Sequence, residues 1–285
     1  MTVIATMLAG LSSSEMTRAQ YDRSLAAQLQ SKAGDQWSFF QAKKLRSALQ
    51  HTTLDMIVST AVVRAIEVNA LESYPTAEGI IKTSAGREAL AVLQGGKLPE
   101  PPASAPMDSK VAAAIDALEK SRSDPELNVL VTAVDDKVLE TTLRAARDRA
   151  LALDGLTSPL TRTIDQMESA ISAAPAHVVT TADANPVRDF TAARLRFNAQ
   201  RYDLEARHNQ TIAELYEVQV RRNNISAERH HKRSGRFFYG MLAAQMAVII
   251  ATFALAARQR SFLWSIAAVA GTAAIGFAVY VYLYV

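Results

Sequence analysis

The sequence of 285 residues predicts an all-α protein, built as a long antiparallel helical stalk with a small helical tip and a C-terminal transmembrane helical hairpin. Two long stretches have helical periodicity, and two later stretches are apolar enough to cross a bilayer. Charge is unevenly divided, because 57 of the 59 charged residues precede residue 237. The near-zero mean hydropathy therefore averages a polar body and an apolar end.

The predicted hairpin consists of transmembrane helices over 237–257 and 262–285. Each has the roughly 20 apolar residues that a membrane-spanning helix needs. A short polar turn with Arg258 and Arg260 separates them, and aromatic residues mark the ends of both. A buried hairpin of a soluble protein is the alternative, which is disfavoured because uncharged stretches of this length are rare in soluble cores.

A basic segment directly precedes the first predicted span. Residues 221–236 contain six basic residues and one acidic residue, whereas the turn between the spans contains two arginines. This asymmetry predicts that the polar body and the C-terminus lie on the cytoplasmic side. Anionic lipid headgroups are the expected contact of its last four cations, which are Arg229, Lys232, Arg233 and Arg236.

The second span carries small residues at intervals of four, Ala268, Thr272 and Gly276, which predict a face for close helix packing. Neither span contains an ionisable residue, so an ion-coupled transporter is disfavoured. A pore formed by several copies of the chain remains an alternative hypothesis.

The first stalk helix is predicted over 12–71, with Leu45, Leu49, Thr52 and Met56 at helical spacing. The apolar segment 1–11 precedes it and is too short to span a bilayer. It is expected to lie in the membrane interface, to pack on the hairpin, or to be part of a third span.

The second stalk helix is predicted over 186–236, because Pro186 is suited to a first helical position. Apolar residues then recur every seven positions, which favours an imperfect coiled coil that continues into the first span. Its seam consists of Phe190, Phe197, Leu204, Thr211, Val218 and Ile225.

Residues 72–185 are predicted to form the helical tip, with a proline-rich linker over 97–106. Helical patterns cover 109–122, 135–153 and 158–173, whereas the apolar run 127–134 is too short to assign. No aromatic residue occurs between Tyr74 and Phe190, which argues against a stacking pocket for a nucleotide or cofactor.

The sequence contains no recognisable catalytic constellation. Cysteine is absent, which excludes disulfides and thiolate metal sites. The Gly95-Gly96-Lys97 segment lacks the earlier glycine and the following Ser or Thr of a phosphate loop, and the five histidines lack zinc-protease spacing. We therefore expect a non-enzymatic protein with no cofactor, no metal and no nucleic-acid partner.

One segment, Asp35-Gln-Trp-Ser-Phe-Phe-Gln-Ala-Lys-Lys-Leu-Arg46, resembles the Asp-Gln-Trp-x-x-Tyr/Phe-Gln-Ala-Lys-x-x-Arg motif of the bacterial domain-of-unknown-function family 4337. The resemblance implies long helices, a basic juxtamembrane segment, a C-terminal pair of spans and a bacterial inner (plasma) membrane location. That family typically has a further span before the motif, where this sequence has Thr2–Leu11. The resemblance to this family implies no enzymatic activity.

Within the motif, Trp37, Phe40 and Lys44 share one helix face, with Gln41 beside them. They are expected either to contact another subunit or the basic helix, or to pack within the stalk.

The preferred functional hypothesis is a membrane-anchored scaffold that forms homo-oligomers. The second is an accessory subunit of a larger energy-transducing or transport complex, and the third is an oligomeric channel. The expected partners are the lipid bilayer and either a second copy or such a complex.

Overall fold

The computed structural model describes residues 2–101, 106–173, 185–256 and 260–284. All regular secondary structure in these ranges is helical, which confirms the predicted all-α class. The helices are α1 (Thr2–Thr60), α2 (Val68–Glu72), α3 (Pro75–Ile81), α4 (Ser84–Gly95), α5 (Ser109–Glu119), α6 (Asp124–Ala133), α7 (Asp136–Ser172), α8 (Pro186–Ala256) and α9 (Arg260–Tyr284).

The first long helix differs from the predicted 12–71 at both ends. It begins at Thr2, because the apolar N-terminal segment is helical and buries Ala5 and Leu8. It ends at Thr60, and residues 61–67 are not helical. There the backbone N–H of Arg64 donates to the Asp189 carboxylate at 3.0 Å, and the Gln94 side chain donates to the Ile66 carbonyl at 3.0 Å. These side chains replace helical hydrogen bonds.

The second long helix continues without a break into the first candidate span, as predicted, because α8 runs from Pro186 to Ala256. Its first position is the expected proline. The Asn185 side-chain oxygen accepts a hydrogen bond from the backbone N–H of Arg188 at 3.1 Å. This asparagine therefore caps the helix.

The two helices predicted over 135–153 and 158–173 form the single helix α7. Pro159 lies inside it and cannot donate the usual helical hydrogen bond, a defect that costs about 3 kcal/mol in a helix interior. Burial of one continuous face on both sides of the proline offsets that penalty. This face includes Leu153, Thr157, Leu160, Ile164, Met167 and Ile171.

The unassigned apolar run 127–134 belongs largely to a helix, α6. Leu127 and Val131 are both buried, and they lie four residues apart on one face.

The chain divides into two compact units. Unit 1 comprises residues 1–31, 116–133 and 217–285, and unit 2 comprises residues 32–115 and 134–216. The principal apolar cluster of unit 2 includes Leu71, Tyr74, Ile81, Leu90, Ile164, Met167, Phe190 and Phe197. A smaller cluster of unit 1 consists of Ala5, Leu8, Phe237, Ala244, Ala274 and Val281.

Some predictions fall outside the described residues. They concern part of the turn between the two spans, at 257–259, and part of the proline-rich linker.

Candidate functional site

The predicted headgroup residues share one face of α8. Arg229, Lys232, Arg233 and Arg236 fall within about a third of the helix circumference. Arg229 and Lys232 are exposed, whereas Arg233 and Arg236 are half-buried. Lys232 also pairs with Glu228 at 2.7 Å, and both side chains are largely exposed. The structure therefore brings the four cations together, and we call them the basic face.

The opposite side of the same segment makes polar contacts with α1 inside unit 1. Ser12 and Ser234 exchange side-chain to backbone hydrogen bonds of 3.0 and 2.8 Å. One turn away, His230 Nδ1 lies 2.5 Å from a carboxylate oxygen of Glu15, and His230 Nε2 lies 4.0 Å from Asp22. Because these contacts fix the helix about its axis, the basic face points away from α1.

This polar contact set was not predicted from the sequence. His230 and His231 are adjacent in the sequence but lie in different surroundings. His231 is exposed, while His230 is half-buried between two acidic residues. Helical geometry is the sequence signal that distinguishes the two histidines, because adjacent residues on a helix point to different sides.

The candidate spans pack through small residues other than the predicted ones. Ala268, Thr272 and Gly276 are exposed, and Thr272 donates its hydroxyl to the Ala268 carbonyl at 2.9 Å. The buried face of α9 includes Ala267, Ala274 and Val281, which recur every seven residues. Within unit 1 this face joins Ala5 and Leu8, so the N-terminal segment packs on the hairpin, one of the three expected placements.

The Asp35–Arg46 motif is split between two sides of α1. The Trp37 and Phe40 rings are half-buried and meet edge to face, with centroids 5.4 Å apart. Lys44 pairs with Asp203 of α8 at 2.5 Å, whereas Gln41 is exposed. The Lys44 contact thus belongs to the packing of α1 on α8, whereas Gln41 faces solvent.

Cations of the motif also surround one tyrosine of α8. Lys43 forms an ion pair with Glu205 and lies 5.3 Å from the centroid of the Tyr202 ring. Arg46 lies 5.9 Å from the same centroid. These contacts combine ion pairing with cation–π attraction, and they hold α1 against α8 within unit 2.

The hydrogen bond from Lys44 holds the pKa of Asp203 below its ordinary value. The positive charges of Lys44 and Arg207 act in the same direction, while burial opposes them. A carboxylate with a lowered pKa stabilises the folded state above its unfolded pKa of about 4, and that contribution is lost as the pH falls through the folded pKa.

Asp203→Asn is therefore expected to lower the free energy of unfolding at pH 7 by less than about 1 kcal/mol, because the pair is partly exposed to solvent. At pH 3 the difference from wild type should shrink. Urea unfolding followed by helical circular dichroism at both pH values measures it. The control is Glu228→Gln, which removes a more exposed pair and should change less. An equal loss at both pH values would contradict an electrostatic origin.

An apolar stripe follows the solvent side of α1. Leu45, Leu49 and Met56 are 63%, 56% and 64% exposed, and Ala42 and Thr52 are exposed beside them. We call these five residues the outer stripe. The face of α1 that is buried in unit 2 lies on the other side of the helix and includes Ala33, Ser47 and Leu54. The outer stripe is thus separate from the packing inside the chain.

Two helical segments are long and apolar enough, by length and composition, to cross a membrane. One falls within Pro186–Phe253, and the other is Trp264–Val281. In the described parts of the chain, no group of three or more His, Cys, Asp or Glu side chains is placed to hold a metal ion.

Comparison with known proteins supports one relationship. No curated protein and no solved structure matches the chain. Residues 1–79 match the model of the family described as "Domain of unknown function (DUF4337)". This match covers all of α1 and α2 and extends into α3, and it confirms the suspected resemblance of the N-terminal part of the chain to that family.

Proposed function

We propose that this protein is a non-enzymatic, membrane-anchored helical scaffold of the bacterial inner membrane, which self-associates through the outer stripe of α1. The exposure of this stripe is the observation that carries the proposal. Ala42, Leu45, Leu49, Thr52 and Met56 alternate at intervals of three and four residues, the spacing of a coiled-coil seam. Burying each large side chain contributes on the order of 1 kcal/mol or more.

A second copy of the chain is the occupant that we propose for this seam. The seam has no charged residue, so pairing it with itself buries no unpaired charge. In a parallel pair, Gln41 of one copy lies beside Arg46 of the other, and Asp55 lies beside Thr60. Neither of these two pairs places like charges side by side. In each pair, one side chain can donate a hydrogen bond that the other can accept.

Membrane anchoring favours the parallel arrangement. Each copy is anchored by its own pair of spans in the same orientation, so the polar bodies of two copies lie on the same side of the bilayer. Anchoring also raises their effective concentration, which compensates for a short seam. The exposed small residues of α9, Ala268, Thr272 and Gly276, offer a second surface for contact between copies in the membrane.

The basic face supports a cytoplasmic location for the body. Arg229 and Lys232 are exposed immediately before the first candidate span, where anionic headgroups of the cytoplasmic leaflet would attract them. The larger number of basic residues before this span, relative to the turn, favours the same orientation.

A single engineered cysteine tests both the contact and its direction, because the natural chain has none. Ala42→Cys is expected to give a disulfide-linked dimer in native membranes under mild oxidation. In a parallel seam the two copies of residue 42 face each other, within the short Cβ separation that a disulfide needs. Non-reducing gel electrophoresis measures the linked fraction.

Two controls make this result specific. Ala152→Cys places an exposed cysteine on α7, outside the outer stripe, and should stay largely unlinked. Adding Leu49→Lys to Ala42→Cys puts a charge in the middle of the seam, and should reduce the linked fraction at least about tenfold while the protein stays in the membrane fraction. Equal linkage of both cysteines, or a monomer in native mass spectrometry of wild type, would contradict self-association.

A further inference from the structure

The first candidate span, at the end of α8, has an exposed face that carries both its glutamine and its threonine. The face consists of Phe238, Leu242, Gln245, Ile249 and Thr252, all of which are exposed. Their intervals alternate between four and three residues, so they follow one side of the helix as a heptad seam does. The apolar packing of unit 1 uses a different side of this segment, which includes Phe237 and Ala244. We call the five exposed residues the membrane stripe.

Gln245 is the polar residue at the centre of the membrane stripe. Its side chain has no hydrogen bond with any other residue that the structure describes. Thr2 and Thr6 of α1 line a groove beside it, but the Thr6 hydroxyl donates to the Thr2 carbonyl at 3.0 Å. Thr252 likewise donates its hydroxyl to the Val248 carbonyl of its own helix, at 2.9 Å. The amide of Gln245 is therefore left to find a partner outside the described chain.

The position of Gln245 along the span makes an unpaired amide costly in a bilayer. It lies eight residues after Phe237, where the span begins, which is about 12 Å along the helix axis. The hydrocarbon core is about 30 Å thick, so the side chain is too short to reach the headgroups from there. Lipid chains offer no hydrogen bonds to the amide, whereas a polar side chain of another membrane helix does.

We propose that the membrane stripe pairs with the membrane stripe of a second copy, and that the two Gln245 side chains hydrogen-bond to each other. A carboxamide has both donors and an acceptor, so it is its own complement. Copies inserted in the same orientation carry Gln245 at the same depth, and a twofold axis along the membrane normal brings equal positions together. This pairing rests on the membrane anchoring proposed above, but it does not require the outer stripe.

Leu242→Cys tests the pairing in the full-length chain, which has no natural cysteine. Residue 242 lies one turn before Gln245 on the membrane stripe, so parallel pairing brings the two introduced thiols close enough to form a disulfide. Oxidation of native membranes with copper–phenanthroline is expected to give a linked dimer on a non-reducing gel. Ala243→Cys is the matched control and should stay largely unlinked. It is exposed at almost the same depth but points to a different side of α8.

Substitutions of Gln245 identify the hydrogen bond itself. Adding Gln245→Leu to Leu242→Cys removes the amide and keeps a side chain of similar size, and it should lower the linked fraction about fivefold or more. Adding Gln245→Asn keeps a carboxamide and should preserve most of the linkage. Because residue 245 is exposed within the chain, both variants should retain wild-type circular dichroism and stay in the membrane fraction.

The outcomes separate the membrane stripe from the outer stripe. Linkage of Leu242→Cys without linkage of Ala42→Cys would support the membrane stripe and contradict the outer stripe. The reverse result would overturn the membrane stripe alone. Equal linkage of Leu242→Cys and Ala243→Cys, linkage that Gln245→Leu leaves unchanged, or a disulfide to a different added single-cysteine membrane protein in place of a second copy would also overturn it. Release of the wild-type chain by alkaline carbonate would remove the membrane anchoring and the pairing together.

Discussion

Replacing Gly86 by alanine is expected to lower the free energy of unfolding of unit 2 by about 3 kcal/mol or more. A methyl group at this position would lie 2.9 Å from the Ile81 Cα and still closer to the Ile80 carbonyl oxygen. Both contacts are with backbone atoms, which cannot rotate away as a side chain can. Unfolding by urea, followed by circular dichroism, measures the loss.

The close approach at Gly86 follows from the short connection between α3 and α4. Only Lys82 and Thr83 separate the two helices. The Thr83 hydroxyl accepts a hydrogen bond from the Gly86 N–H at 3.0 Å and donates one to the Ile80 carbonyl at 2.7 Å. These two bonds draw the first turn of α4 onto the end of α3, so a side chain at residue 86 has no space.

Gly95→Ala is the matched control at the other end of α4. A methyl group there meets no heavy atom within 4 Å, apart from the helix itself and the neighbouring residues. Alanine also restricts the unfolded chain more than glycine does, so this variant should be neutral or more stable by up to about 1 kcal/mol. If Gly86→Ala were as stable as Gly95→Ala, the packing of α3 on α4 would be wrong.

The sequence predicts those features of the fold that depend on composition over long stretches. The uncharged segments indicate the two candidate spans, and Pro186 with the apolar repeat indicates α8. The end of α1 depends on two distant side chains, Asp189 and Gln94, which complete the backbone hydrogen bonds of residues 61–67. No local pattern contains that information.

Hydropathy alone also could not identify which face of α1 is buried. The buried face in unit 2 includes Ala33 and Ser47, small residues that allow close contact between helices, whereas Leu45 and Leu49 are exposed. Ser47 satisfies its hydroxyl by donating to the Ala199 carbonyl at 3.0 Å. The larger apolar residues therefore mark a surface outside the chain's own packing, which is why they matter to the proposed function.

The candidate sites differ in how far they could be predicted. The basic face consists of four cations within eight residues of one helix, so helical spacing alone predicts that they share a side of α8. Their contact with lipid headgroups stays a prediction. By contrast, a cavity of about 330 Å³ in unit 2 is lined mainly by residues of α7 and α8 that are distant in the sequence. Arg149 and His208 come together only through tertiary packing.

Leu153→Ala is expected to lower the free energy of unfolding by about 3 kcal/mol, within the 2–5 kcal/mol range of buried leucine truncations. Leu153 is 1% exposed and lies at the start of the buried stretch of α7 that spans Pro159. That continuous burial offsets the defect introduced by the proline. Removing its first large side chain should therefore weaken the helix where it is least able to compensate.

Leu151→Ala makes the same chemical change two residues away, where the side chain is 70% exposed. Its expected effect is within about 0.5 kcal/mol, because little apolar contact is lost and alanine favours the helix. Both variants make the same Leu→Ala change in the same helix, so the difference between their free energies of unfolding reports the effect of burial alone. Equal losses would mean that α7 is rotated about its axis relative to the structure.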